Sequence, residues 1–111
     1  MFNLEMTNTI SLVTVKQDRD GGKDEVVYLE KDLPARVNLT QKTVKENDNQ
    51  KVAIRSLQVN ILKELDIRNG QIVEFERSLY KIENAEKTID LDGDFLFWYF
   101  TCTKTNQKLW E

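Results

Sequence analysis

The chain has 111 residues, 40% of them hydrophobic and 32% charged, and a net charge of −3. That length and balance fit one folded domain that needs no disulfide or metal to hold a core, and they exclude an intrinsically disordered chain. The acidic balance weighs against a dedicated nucleic-acid binder, which carries a basic excess.

Glycine and proline are scarce, so each one marks a turn. Residues 1–8 are expected to form a flexible N-terminal segment. Met1 to Asn8 has neither a basic start nor an apolar stretch, so no signal peptide is expected there. The first apolar run is Thr9 to Lys16. Ile10 and Leu12 share one phase, Val13 and Val15 the other, which predicts a β-bulge or burial on both faces. The turn Asp18-Arg19-Asp20-Gly21-Gly22 follows, then Glu25 to Lys31, rich in β-formers; together they read as a hairpin.

The next run is Leu33 to Val44, where Ala35, Val37 and Leu39 alternate with Arg36, Asn38 and Thr40, giving one apolar and one polar face. Lys51 to Lys63 carries Val52 and Ile54 in one phase and Leu57, Val59 and Ile61 in the other, so a bulge is expected near Arg55 and Ser56. Val52 to Leu65 could also be drawn as a helix, but its β-branched residues favour a strand. Runs of this length reach about 40 Å, against ~17–20 Å for an ordinary strand. Either they bend sharply or their hairpin stands out from the body. Its tip, Lys42, Thr43, Val44, Lys45, Glu46, Asn47, Asp48, Asn49, Gln50 and Lys51, is the candidate functional segment.

A turn at Asn69-Gly70 precedes two short strands, Gln71 to Glu76 and Leu79 to Glu83, with a tight turn expected at Arg77-Ser78. Phe95 to Lys104 is apolar in both phases, as a central strand covered on both sides, or one that also faces a partner chain, would be. Residues 105–111 are expected as a C-terminal tail. The fold class is all-β: a small antiparallel β-barrel or sandwich of six or seven strands, one domain over 1–111, with one long projecting hairpin loop. The expected core is Ile10, Val37, Leu39, Val59, Ile61, Tyr80, Ile82 and Trp98.

Candidate chemistry is thin. With no histidine, the commonest general base, the usual metal ligand and every Ser-His or Cys-His pair are missing. The lone Cys102 makes neither an internal disulfide nor a thiolate zinc site, and suits a reducing cytoplasm. Asp90, Asp92 and Asp94 resemble a calcium loop, yet Gly93 falls in the wrong position and Thr101 stands where a bidentate glutamate belongs. An acidic turn is the better reading. Asp18 to Gly22 lacks the spacing of a phosphate-binding loop. The aromatic stripe Phe95, Phe97, Trp98, Tyr99 and Phe100 could stack bases, but no basic residue precedes Lys104 in it, so core and subunit interface are preferred. No catalysis, metal or cofactor is expected, and no apolar run approaches the ~20 residues of a membrane span.

The order of these features resembles the head-closure proteins, or head–tail adaptor (connector) proteins, of long-tailed bacteriophages. The likeness is carried by the early strand Ile10 to Val15, the acidic glycine turn, and Leu33-Pro34-Ala35-Arg36-Val37. It continues through the long segment Lys42 to Lys51, the Ile67/Gly70/Val73 turn, Tyr80 and Ile82, and an Asp-rich turn before the last strand. The resemblance implies a structural virion protein, made in the host bacterial cytoplasm. It would form a homo-oligomeric ring, dodecameric or hexameric, at the head–tail junction. The ring would lie between the portal or adaptor ring and the tail-completion protein. It would extend the portal channel, pass double-stranded DNA, help retain it, and offer the tail a surface, with Lys42 to Lys51 reaching the channel or the adjoining ring. Two alternatives remain: a tail-completion or terminator protein of the same particle, which should carry a helix on its sheet, and a small barrel binding single-stranded nucleic acid or a peptide.

Overall fold

The structure is a computed structural model that describes residues 6–16, 25–47 and 50–105, with positions 42, 44–47 and 50–52 described by backbone alone. The Asp18 to Gly22 turn, positions 1–5 and 106–111, and Asp48-Asn49 lie outside the described residues.

Six strands form: β1 (Asn8–Lys16), β2 (Glu25–Asn47), β3 (Gln50–Ile61), β4 (Ile72–Phe75), β5 (Ser78–Ile89) and β6 (Phe95–Lys104). They close into an antiparallel barrel in the order β1-β2-β3-β6-β5-β4, and β4 pairs back onto β1. Two three-stranded meanders are thus joined along β3–β6 and β1–β4. Every paired strand edge inside the barrel is satisfied, which removes the open edges that invite aggregation.

Period-two alternation selects the core. Leu57, Val59 and Ile61 of β3 are all 0% exposed, and Leu57 and Val59 pair with Cys102 and Phe100 of β6, also fully buried. Val73 and Phe75 of β4, Tyr80 and Ile82 of β5, Leu33 and Ala35 of β2, and Ile10 and Leu12 of β1 complete the same cluster. Each large apolar side chain withdrawn from water contributes about 1.5–3 kcal/mol before conformational entropy is subtracted.

β2 is one strand where the sequence suggested two. Straight, its 23 residues would run about 75 Å, longer than the 49 Å maximum extent of the molecule. It bends through two irregularities against β1, between Ile10 and Leu12 and between Leu12 and Val13. At the first, Asp32 adopts φ 59° and donates its backbone N–H to Ser11 Oγ at 3.1 Å. Both alternatives expected of this stretch are realised together: the ladder bulges, and Leu12 and Val13, in opposite phases, are both buried. Pro34 is no breaker here, because it lies before the first β2–β3 pair, Ala35 with Ile61.

Four further expectations need correction. Leu39 is not core: it is 56% exposed, because its partner Leu57 is the last β3 residue covered by the body and β2 continues past the barrel rim. Val37 and Trp98 are only partly buried, packed on the core's margin. No bulge occurs at Arg55-Ser56; the β2–β3 register runs unbroken from Ala35/Ile61 to Lys45/Lys51. The phase switch in the sequence marks where β3 leaves the body. The tight turn is Glu76-Arg77, one residue earlier than expected, since Phe75 pairs with Ser78. Val52 to Ile61 is strand, not helix.

The connection 62–71 crosses one end of the barrel and plugs it with Ile67, which is 4% exposed. Gly70, at φ 93°, donates to the Ile82 carbonyl at 2.7 Å, and Asn69 Oδ1 accepts the Ala85 N–H at 2.9 Å. The expected Asn-Gly turn is thus stitched to β5.

Candidate functional site

Antiparallel order sorts the connections onto two ends. The β2–β3 and β4–β5 turns share one, here the hairpin end. The β1–β2, β3–β4 and β5–β6 connections share the other, the loop end.

At the hairpin end β6 leaves β3 after the Ser56/Thr103 pair, while β2 and β3 stay paired through Gln41/Arg55, Lys42/Ile54, Thr43/Ala53, Val44/Val52, Lys45/Lys51 and Asn47/Gln50. The described part of the candidate segment, 42–47 and 50–51, therefore belongs to a two-stranded ribbon beyond the barrel rim. The six residues from Gln50 to Arg55 give it a reach of about 20 Å. A lone ribbon of this kind is marginally stable by itself and leans on the three-stranded base below it.

The rim beneath the ribbon is basic. Arg55 continues the inward phase of Leu57, and Lys104 continues that of Cys102, so register places both cations on one face, one step beyond the Ser56/Thr103 pair. Both are exposed, on the same face as the exposed Leu39. Neither forms an ion pair with a described residue. Like charges on one face repel.

Among the exposed large hydrophobics of the described residues, Leu62, Ile89 and Leu91 lie at the loop end, while Val27, Tyr28 and Leu29 lie along the wall where β2 runs beside β1. Leu39 lies at the hairpin end. The β5–β6 tip is built by its acidic turn. Asp90 Oδ1 accepts the backbone N–H groups of Asp92 and Asp94, each at 2.9 Å, and Gly93 takes φ 88°. The Asp90 carboxylate is thereby committed to local backbone, which is what an acidic turn requires. Leu91 projects from this turn with a relative exposure of 107%. Elsewhere on the barrel, Lys87 reaches Glu64 at 2.9 Å, Lys63 reaches Glu30 at 3.3 Å, and Arg68 reaches Asp66 at 2.9 Å. These solvated pairs add little stability. Tyr28 donates its hydroxyl to Glu74 Oε2 at 2.6 Å, and that bond, with slight desolvation and the carboxylate charge, raises its pKa.

Nothing in the described residues assembles a reactive group. Cys102 is fully buried, and burial, with the Glu83 charge, pushes its thiol up to about 12, so no thiolate forms near neutrality. The described residues contain no cluster of three or more His, Cys, Asp or Glu placed to hold a metal. The aromatic stripe of β6 lies between β3 and β5; Phe100 is core, while Phe95, Phe97, Trp98 and Tyr99 are partly exposed, and Lys87 stands 5.7 Å from the Phe95 ring centroid. The sequence reading marked Lys42 to Lys51 but missed the loop end. Only the alternation of Ile89 and Leu91 with acidic residues hinted at it, and in isolation that pattern reads as an ordinary acidic turn.

No family model matches the chain, and no curated protein matches it. Among solved structures, it resembles the phage-like element PBSX protein xkdH from Bacillus subtilis. The two share 19% identity over 87% of this chain and 92% of that one, with a TM-score of 0.52. At that identity the likeness is one of fold.

Proposed function

We propose that this chain is a structural protein of a phage particle, forming a ring at the head–tail junction. It extends the portal channel, helps retain packaged DNA and gives the tail its attachment surface. The observation that carries the reading is the projecting β2–β3 ribbon on a closed barrel whose fold resembles that of a phage-element protein over 87% of the chain. A ribbon reaching beyond the rim suits a part that enters a channel or an adjoining ring. The chain's partners in this reading are copies of itself, the portal or adaptor ring and the tail-completion protein, and its location is the virion. A net charge of −3 suits a conduit that must not hold the DNA it passes. The terminator alternative called for a helix packed on the sheet, and the described residues contain none.

The test is removal of the chain from a producing phage. The expected outcome is filled heads that leak DNA or stay tailless, with separate, normal tails. Infectious, intact particles without the chain would overturn the reading.

A further inference from the structure

The two ends of this barrel complement one another in charge and in apolar surface. At the loop end, Leu91 is fully exposed and Ile89 is 54% exposed, and Asp92 and Asp94 flank them with no ion pair to a described residue. At the hairpin end, Leu39 is 56% exposed, and the register puts the exposed cations Arg55, diagonal to it on β3, and Lys104 of β6 on the same face. We propose that the β5–β6 tip of one copy, Leu91 with Ile89, Asp92 and Asp94, docks on the hairpin end of the next copy at Leu39, Arg55 and Lys104.

Each partner surface lacks what the other supplies. The tip offers an apolar knob rimmed by carboxylates. The rim offers an apolar side chain on the same face as two like charges whose repulsion a carboxylate relieves. The knob is pre-organised. Asp90 Oδ1 holds the N–H groups of Asp92 and Asp94, and Gly93 at φ 88° fixes the reversal, so little freedom remains to be lost on docking.

The surfaces lie at opposite ends of one barrel, so a copy cannot satisfy its own. The contact is heterologous, tip to rim, and such a contact closes into a ring when its rotation closes. The inference rests on the ring reading above and names the surfaces that would make the ring. Because its charges lie at a solvated rim, the contact weakens as salt rises.

The experiment is sedimentation velocity on the full chain across protein concentration and salt. Four forms are compared: wild type, Leu91→Asp, Asp92→Lys with Asp94→Lys, and Arg55→Glu with Lys104→Glu. Circular dichroism melting verifies that each is folded. The expected result is association by wild type, weakened in each variant by about tenfold or more in midpoint concentration. Mixing the two charge-reversed proteins should restore association, because the reversed tip of one meets the reversed rim of the other. Restoration is a signature that general damage to the fold cannot produce. Wild type that stays monomeric at every concentration would overturn both this contact and the ring reading. Association undiminished by tip reversal would overturn this contact and leave the ring reading standing. Normal self-association by the tip variant, with loss of its incorporation into particles, would assign the tip to a different protein and equally overturn the proposal.

Discussion

The indole N–H of Trp98 donates to the carbonyl oxygen of Leu65 at 2.8 Å, tying the last strand to the segment that crosses the loop end. Trp98 also pairs with Ile61, the final residue of β3. One side chain thus clamps the point where β3 gives way to the connection holding Ile67 in the barrel.

Trp98→Phe should keep most of the packing and lose the hydrogen bond, at a cost of about 1 kcal/mol. Trp98→Ala should cost more, near the lower end of the roughly 3–5 kcal/mol range for large aromatics, because the ring is only partly buried. Urea denaturation of both variants measures the difference. Equal, negligible losses would show that the clamp contributes nothing.

Leu39 and Leu57 face each other across β2 and β3, yet their exposures are 56% and 0%. Leu57→Ala should therefore lose about 2–5 kcal/mol. Leu39→Ser should stay within about 0.5 kcal/mol at concentrations where the chain is monomeric. Paired thermal melts of the two variants test where the barrel ends and the ribbon begins.

The β4–β5 turn holds Glu76 at φ 50° and Arg77 at φ 64°, both in the left-handed region that two-residue hairpin turns demand and that glycine and asparagine tolerate best. Replacing Glu76-Arg77 with Asn-Gly should stabilise the protein by about 1 kcal/mol. A rise of several degrees in Tm is the expected readout. An unchanged or lower Tm would mean these side chains have compensating contacts.

Burial keeps the Cys102 thiol protonated in the folded state up to about 12, whereas an exposed cysteine ionises near pH 8.5. The folded pKa lies above the unfolded one. This contribution to stability is therefore complete below the unfolded pKa and is lost as pH climbs from about 9 towards 12. Native protein should resist thiol reagents at pH 8 and react promptly once unfolded. Cys102→Ala should lose less stability than wild type between pH 8 and 11. Rapid labelling of the native chain would contradict the burial.

Replacing Glu46 to Gln50 with Asn-Gly retracts the ribbon while leaving a turn that can join Lys45 to Lys51, which already pair. Closure entropy changes little, so Tm should barely move. Infectious titre in complementation should fall sharply. A normal titre would leave Lys42 to Lys51 a plain hairpin end.

The strands were legible because alternation is local. Ala35 and Val37, or Val59 and Ile61, declare a strand face wherever they occur. What period two could not report was where the body stops. Leu39 continues the phase of Ala35 without a break, but β1, the other neighbour of β2, pairs with it only as far as Ala35, and Leu39 lies beyond that point, exposed. For the same reason the phase change at Arg55-Ser56 looked like a bulge. Leu91 was hidden differently: nothing in the sequence tells that a leucine between aspartates has no neighbour to cover it.

Barrel closure also sets the order in which the chain can fold. β1 must find β4, and β3 must wait for β6, the last of these six strands to be synthesised. Neither pairing is local, so a folding time of milliseconds to seconds follows. Until β6 arrives, β3 presents an unpaired edge bearing Leu57, Val59 and Ile61. The nascent protein is therefore most vulnerable to misassembly between completion of its first hairpins and release of β6.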